Sequence, residues 1–459
     1  MMSRWVIGCA VVLTLLGGCH RSAKPDPVSP AAQAGPEAEA TSAERAPTAT
    51  ASGTARPATA KERAAIDALV RAAEEVRQLK LLRPVSIEIE DGEAITESLR
   101  TQIEDEDIEQ ARVIYGALGL LDADADLRAM FAGVLGEQVI GYYDPDSGRL
   151  VVREDVMSGL TGAFGPEQMQ EARLVLVHEI VHALQDQRLG LGESYQAERT
   201  ADADNGFRAV VEGDATLAML AHALRQQGIP LSAATQGIQQ MGGYLDLNAL
   251  VRGEKLDDAP AILRVTLVTP YLRGLQFIAA VQARGGWPAV NNAHRRPPIS
   301  SEQVLHPDKY FAREPAEVVS VIDNPSVIAA GFERAAVDTL GELELSVYLG
   351  QTQTSGTDEA AAAGWAGDEL VVYARGEELA LVWWTSWDSA AEAEEAFDAA
   401  RGVAPKSDTA AVERKGRAVL IVRGLPPKLH RNVRSDFSSF ARQLRDRPAP
   451  PEAPKNLVY

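Results

Sequence analysis

The stretch from Leu174 to Gln187 reads LVLVHEIVHALQDQ and sets His178 and His182 four residues apart, with Glu179 directly after the first. On a helix, positions four apart share one face about one turn apart, so both imidazoles can reach a single ion. Zinc accepts neutral imidazole nitrogens, and a catalytic zinc takes three protein ligands and keeps one position for water. Glu179 would stand beside that water and take its proton as the polarised water attacks a carbonyl. The surrounding residues, among them Leu174, Val177, Ile180, Val181 and Leu184, are apolar. Burying two imidazoles and a carboxylate among them is costly unless a dication compensates. The competing reading is a helix with two satisfied core histidines, because so short a motif also arises by chance.

Other chemistries are narrowed by what the chain lacks. Its 2 cysteines, Cys9 and Cys19, both fall in or at the end of an N-terminal leader, so thiol nucleophiles and cysteine-ligated zinc are excluded. No glycine-rich phosphate loop and no nucleophilic serine motif appears. The glycine and histidine that a metzincin helix carries beyond its second histidine are replaced by Gln185 and Arg188, which excludes that subtype.

HEIVHALQD, with Asp186 four residues past the second histidine, resembles the ligand helix of thermolysin-type gluzincin metallopeptidases. GYYDPDSGRLVV, VVEGDA, GGWPAVNNAHRRPPISSEQVLHPDKY and GWAGDELVVY extend the likeness to a group of bacterial HExxH proteins, many of them lipoproteins. That resemblance covers most of residues 62–400. It implies zinc held by His178, His182 and Glu212, with Glu179 as general base in peptide-bond hydrolysis. Glu212 lies in the largely apolar FRAVVEGDATLAML, and the Gly213 after it costs about 1 kcal/mol in a helix interior relative to alanine. Such a glycine often marks the close approach of another backbone, here expected between the two ligand helices. The chain departs from thermolysin at Thr216, where an aspartate would orient a ligand histidine; Asp186 and Asp214 are the alternatives. An oxyanion donor is sought among Tyr142, Tyr143, Tyr271, His306 and Tyr310, with His306 ranked first and Tyr271 retained. The segment around His306, SSEQVLHPDKY, reads equally as a loop bonded to its own backbone. Two rival functions remain: an envelope lipoprotein with a structural zinc, and a zinc amidohydrolase acting on cell-wall peptides.

The elements that must position these residues follow from length, charge and periodicity. A chain of 459 residues supports two or three packed units, and its net charge of −20 argues against binding nucleic acid or anionic lipid over a broad surface. Arg4, the apolar run Trp5–Leu16 and the small residues after it form a secretory leader over residues 1–18. LLGGC resembles a bacterial lipobox, which implies lipidation at Cys19 and a membrane anchor; His20 in place of aspartate implies the outer membrane of the cell envelope. Residues 19–60, rich in Ala, Pro, Ser and Thr, read as a disordered tether. Residues 61–335 read as a mostly helical, zincin-like zinc domain with a small sheet. Residues 336–445 read as a smaller α+β domain and 446–459 as a proline-rich tail, giving an α+β fold class overall. Within them we expect one helix through ITESLRTQIEDEDIEQARVIYGALGLL, a hairpin at GYYDPDSGRLVV, and helices over 166–188 and up to Gly228. A further helix is expected to start at Thr269-Pro270 and end at Gly285-Gly286. In LALVWWTSWD, strand alternation sets Trp383 and Trp387 on one face and Trp384 on the other.

Overall fold

The computed structural model describes residues 55–103, 105–122, 125–163, 166–241, 254–445 and 447. The leader, Cys19, most of the tether and nearly all of the proline-rich tail lie outside the described residues. The described chain is a mixed α+β structure with two sheets.

The first sheet begins where the tether was expected to continue. β1 (Ala55–Pro57) pairs antiparallel with β2 (Ser86–Glu90), and Pro57 is tolerated because β1 is an edge strand. Thr59 then caps α1 (Ala60–Arg77) in a capping box with Glu62. The Glu62 carboxylate also takes both Arg56 guanidinium nitrogens and is held down to about 2 by them. Residues 55–60, expected in the tether, instead belong to this strand, the Thr59 cap and the start of α1. β3 (Gly141–Asp144) and β4 (Arg149–Arg153) form the expected hairpin, and β4 pairs in parallel with β2 in the order β1-β2-β4-β3. Gly148 closes the turn at φ +66°, and Asp144 Oδ1 accepts the Asp146 amide.

Where one helix was expected, α2 (Gly92–Gln102) and α3 (Asp105–Leu118) are separate. Ile103 after α2 adopts an extended conformation and is buried, which breaks the helix to fill the core. α4 (Leu127–Gln138) leads to the hairpin. Two long helices follow, α5 (Pro166–Leu189) and α6 (Ala201–Gln226), and Thr200 caps α6 by accepting the Ala203 amide. Gly228 lies just beyond α6 at φ +72°, as expected of a glycine after a helix C-terminus. α7 (Leu231–Met241) precedes α8 (Ala261–Arg295), which corrects the reading of Thr269-Pro270 as a helix start. Pro270 lies inside α8, whereas the backbone leaves the helical region at Gly285 (φ −152°) and Gly286 (φ +63°), so the first helical stretch ends there as expected and a second runs on to Arg295. Short helices α9 (Ser301–Leu305) and α10 (Pro307–Ala312) carry the chain into the second unit.

There β5 (Glu333–Asp338), β6 (Trp365–Arg375), β7 (Glu378–Trp387), β8 (Ala411–Lys415) and β9 (Ala418–Arg423) form an antiparallel sheet in the order β5-β6-β7-β9-β8. α11 (Gly341–Leu349), α12 (Glu359–Ala362) and α13 (Ala390–Val403) lie toward one face; α14 (Pro427–Ala441) covers the other. All three tryptophans of β7 are buried. Trp383 and Trp387 share a core with Tyr115 of α3 and Tyr271 of α8, while Trp384 packs on Phe440. Residue 336, where the boundary was expected, falls inside β5, and one hydrophobic cluster takes residues from both sides of it.

Candidate metal centre

α5 is buried from Leu174 to Gln185, and its two histidines sit one turn apart with rings 4.7 Å between centroids in an edge-to-face arrangement. α6 brings Glu212 to them. One carboxylate oxygen, Oε2, lies 3.1 Å from His178 Nε2 and 3.4 Å from His182 Nε2. The donor atoms of His178, His182 and Glu179 also lie within 4.8 Å of one another, so two carboxylates are in reach of one ion. They are not equivalent. Glu179 Oε2 accepts the Tyr143 backbone N–H at 2.9 Å, so the edge strand β3 holds that carboxylate in place. A single Glu212 oxygen faces both imidazoles, which makes Glu212 the better third donor and leaves Glu179 beside the site.

The tautomer of His182 is fixed from behind. Gln185 Nε2 donates to Val211 O and to Asp214 Oδ2, each at 3.0 Å, and both partners only accept. The amide oxygen must therefore face His182 Nδ1, 2.9 Å away, and Nδ1–H donates to it. This turns Nε2 toward Glu212, and His182 Nε2 is a buried nitrogen without a hydrogen-bond partner among the described residues. Asp214 is completed by Arg77 Nε at 2.6 Å and His294 Nε2 at 2.8 Å, and Arg77, itself fully buried, lies over the Trp287 ring. Burial would raise the Asp214 carboxyl, but Arg77 and His294 outweigh it and hold it well below the ordinary carboxylate range. The Arg77 and Asp214 charges cancel, and the Glu212 carboxylate is left facing the two imidazoles. Two imidazole nitrogens with one carboxylate oxygen are a donor set that zinc accepts. The residues fit the ion.

Electrostatics within the donor set point the same way. Burial pushes the His178 imidazolium down, against the pull of Glu212. Burial also opposes the charged form of His182, but the Glu212 carboxylate prevails and lifts it to about 9. Glu212 in turn is held well below the carboxylate range: burial is outweighed by the two histidines. A proton on His182 competes with a metal for one carboxylate, so metal affinity weakens as pH falls.

The remaining expected residues are placed as follows. Tyr271 of α8 stacks on His178 with 5.9 Å between centroids, beside the donor set. Asp214 reaches His182 through Gln185. Asp186 touches neither ligand histidine through the bonds it makes: it accepts the Tyr143 hydroxyl at 2.7 Å and the Gly192 amide at 3.1 Å, and so steadies the strand that holds Glu179. His306 is not brought to the site. Its Nε2 is bonded to Glu342 at 2.9 Å, and it lines a different cavity to which none of the four central residues contributes. Its polar neighbourhood had suggested an oxyanion donor; that polarity serves the Glu342 contact instead. Tyr310 donates its hydroxyl to Arg296 O. Gln185, His294 and Arg77 were missed. Gln185 was used only to exclude the metzincin pattern, although a glutamine within an apolar helical stretch is itself a sign of a buried polar link.

The model of a family described as a domain of unknown function (DUF8575) matches residues 330–434, which span the second sheet and exclude every metal donor. No curated protein and no solved structure matches the chain.

Proposed function

We propose that this chain is a zinc-dependent metallopeptidase with a zincin-like metal domain of the gluzincin kind. The carrying observation is the convergence of one Glu212 oxygen on two imidazole nitrogens, beside a second carboxylate held by a backbone amide. His178, His182 and Glu212 would hold the ion. Bound there, zinc supplies Lewis acidity that acidifies a water and polarises a carbonyl. Glu179 accepts a proton from the attacking water and returns it to the leaving amine, in an orientation set by the Tyr143 amide. The Tyr271 ring against His178 restricts that imidazole.

One observation favours a second reading, a structural zinc. His178, Glu179, His182 and Glu212 each expose 5% of their surface or less, whereas a catalytic zinc keeps an open position. Glu179→Gln separates the readings. The peptidase reading expects the variant to retain its zinc and lose cleavage of unfolded protein by about 10²–10⁴-fold. Zinc-loaded wild type that cleaves nothing across a broad peptide library would leave the structural reading standing, and release of muropeptides would turn the assignment to an amidohydrolase.

The envelope location is proposed from the sequence alone. No helix among the described residues is long and apolar enough to cross a membrane. Metabolic labelling with a fatty acid, lost in Cys19→Ala, is the outcome the lipid anchor requires.

A further inference from the structure

A cavity of about 230 Å³ lies between the end of α8, the loop that follows it and the loop after α10, and its lining includes no metal donor and none of the residues bonded behind them. Its backbone is pinned from several sides. The buried Gln303 accepts the Ile299 amide and donates to Glu314 O, which ties the two loops together. The Tyr310 hydroxyl donates to Arg296 O, and Arg447 donates to Pro315 O. Three polar side chains of the wall are left over: among the described residues, Asn292, Arg296 and Arg313 have no side-chain hydrogen bond or ion pair, and both arginines are exposed. Arg313 also follows α10 at φ +54°, in the left-handed region that favours glycine. A strained position is thus occupied by a guanidinium that bonds nothing among the described residues.

No acidic residue lines the cavity, although the chain as a whole carries a net charge of −20. The acids nearest in sequence to Arg313 are already held: Asp308 by Arg284, Glu314 by Arg447 and Glu317 by Arg417. Most of the remaining wall is apolar, with Val281, Pro297, Pro315 and Ile299, and Ile299 is 53% exposed, so a ligand can reach it. A guanidinium presents paired N–H donors in a fork that matches a carboxylate. We propose that this cavity binds a carboxylate carried on an apolar body, with Arg296 and Arg313 receiving the carboxylate and the body lying against the apolar wall. The C-terminal residue of a peptide, where its side chain is apolar, and a short fatty acid share this chemistry. An amine is the poorer fit, because it would meet two like charges and no carboxylate. The inference is independent of the metal reading, since no residue is shared between the two sites.

Calorimetric titration of the full chain near pH 7 with N-acetylphenylalanine, its primary amide and octanoate tests it. At least one of the two acids is expected to bind saturably with a dissociation constant of about 1 mM or tighter, and the tighter of them identifies the source as a peptide end or a fatty acid. The amide is expected to bind at least about tenfold more weakly than N-acetylphenylalanine where the peptide end is the source. Arg296→Gln and Arg313→Gln are each expected to weaken the acid by at least about tenfold. Arg313→Gly removes the guanidinium and relieves the backbone, so it is expected to lose the ligand while Tm holds or rises. Absence of binding by either acid up to about 10 mM, an amide that binds as well as its acid, or acid binding that the arginine variants leave unchanged overturns the proposal. The last outcome would place the carboxylate elsewhere on the chain.

Discussion

Behind His182 the chain builds a series of buried bonds, through Gln185 to Asp214 and from there to Arg77 and His294. Only one end of that series touches the donor set, so its effect on metal binding is positional. Replacing Gln185 with methionine removes the acceptor that fixes the His182 tautomer while nearly conserving volume. Zinc affinity, read by competition with a chromophoric chelator, is expected to fall about 10–100-fold. An unchanged affinity would show that the imidazole is oriented by other contacts. Asp214→Asn is a harsher change, because it strands the Arg77 guanidinium in the interior; denaturant unfolding is expected to show a loss of about 3–5 kcal/mol. At this scale much was legible in advance. The spacing of His178 and His182 and the burial cost around them required only a helix. Asp214 was named without its route, because a bond through a third side chain leaves no periodic signal, and His306 was misplaced because a polar cluster looks alike around either cavity.

α6 and α8 cross with their backbones in contact, and that crossing sets where Glu212 and Tyr271 sit. A Cβ on Gly213 would come within 2.2 Å of Gly274 C and O, and one on Gly274 within 2.3 Å of Ala209 O. Gly213→Ala therefore pushes the ligand-bearing helix off α8. The expected result is a stability loss of about 3 kcal/mol in denaturant unfolding, together with weakened zinc binding because Glu212 moves with its helix. A neutral outcome would mean that the two helices separate without cost. The close approach was legible from a glycine inside an otherwise apolar helix, but its partner was not: α8, and not the histidine-bearing α5, supplies the other backbone. Where α8 begins was misread because proline normally marks a helix start, whereas here Pro270 is accommodated in the buried interior of a longer helix.

Across the whole molecule, the first unit and the second sheet share one interior, and buried acids collect where they meet. Burial raises the Glu344 carboxyl to about 8 against its bonds from Asn205 and Tyr115, and Glu302 rises to about 7 for the same first reason. In the folded chain these groups hold protons that the unfolded chain releases from about 4.5 upward. The stability they contribute is complete below that value and is lost as pH rises toward 8, so Tm is expected to fall from about pH 5 to about pH 8. Glu344→Gln should flatten that slope; a Tm that rises over the window in both proteins would contradict the assignment. The α+β class was legible from strand alternation and helical periodicity, whereas the shared interior was not, since α3 reaches the sheet only through long-range packing. The account as a whole rests on three side chains from two helices holding one ion. Elemental analysis of protein loaded with zinc and then dialysed, beside His182→Ala treated identically, tests that directly. The account predicts about one zinc per wild-type chain and nearly none in the variant; a wild-type chain that retains no divalent metal, or a variant that retains as much as wild type, would contradict it.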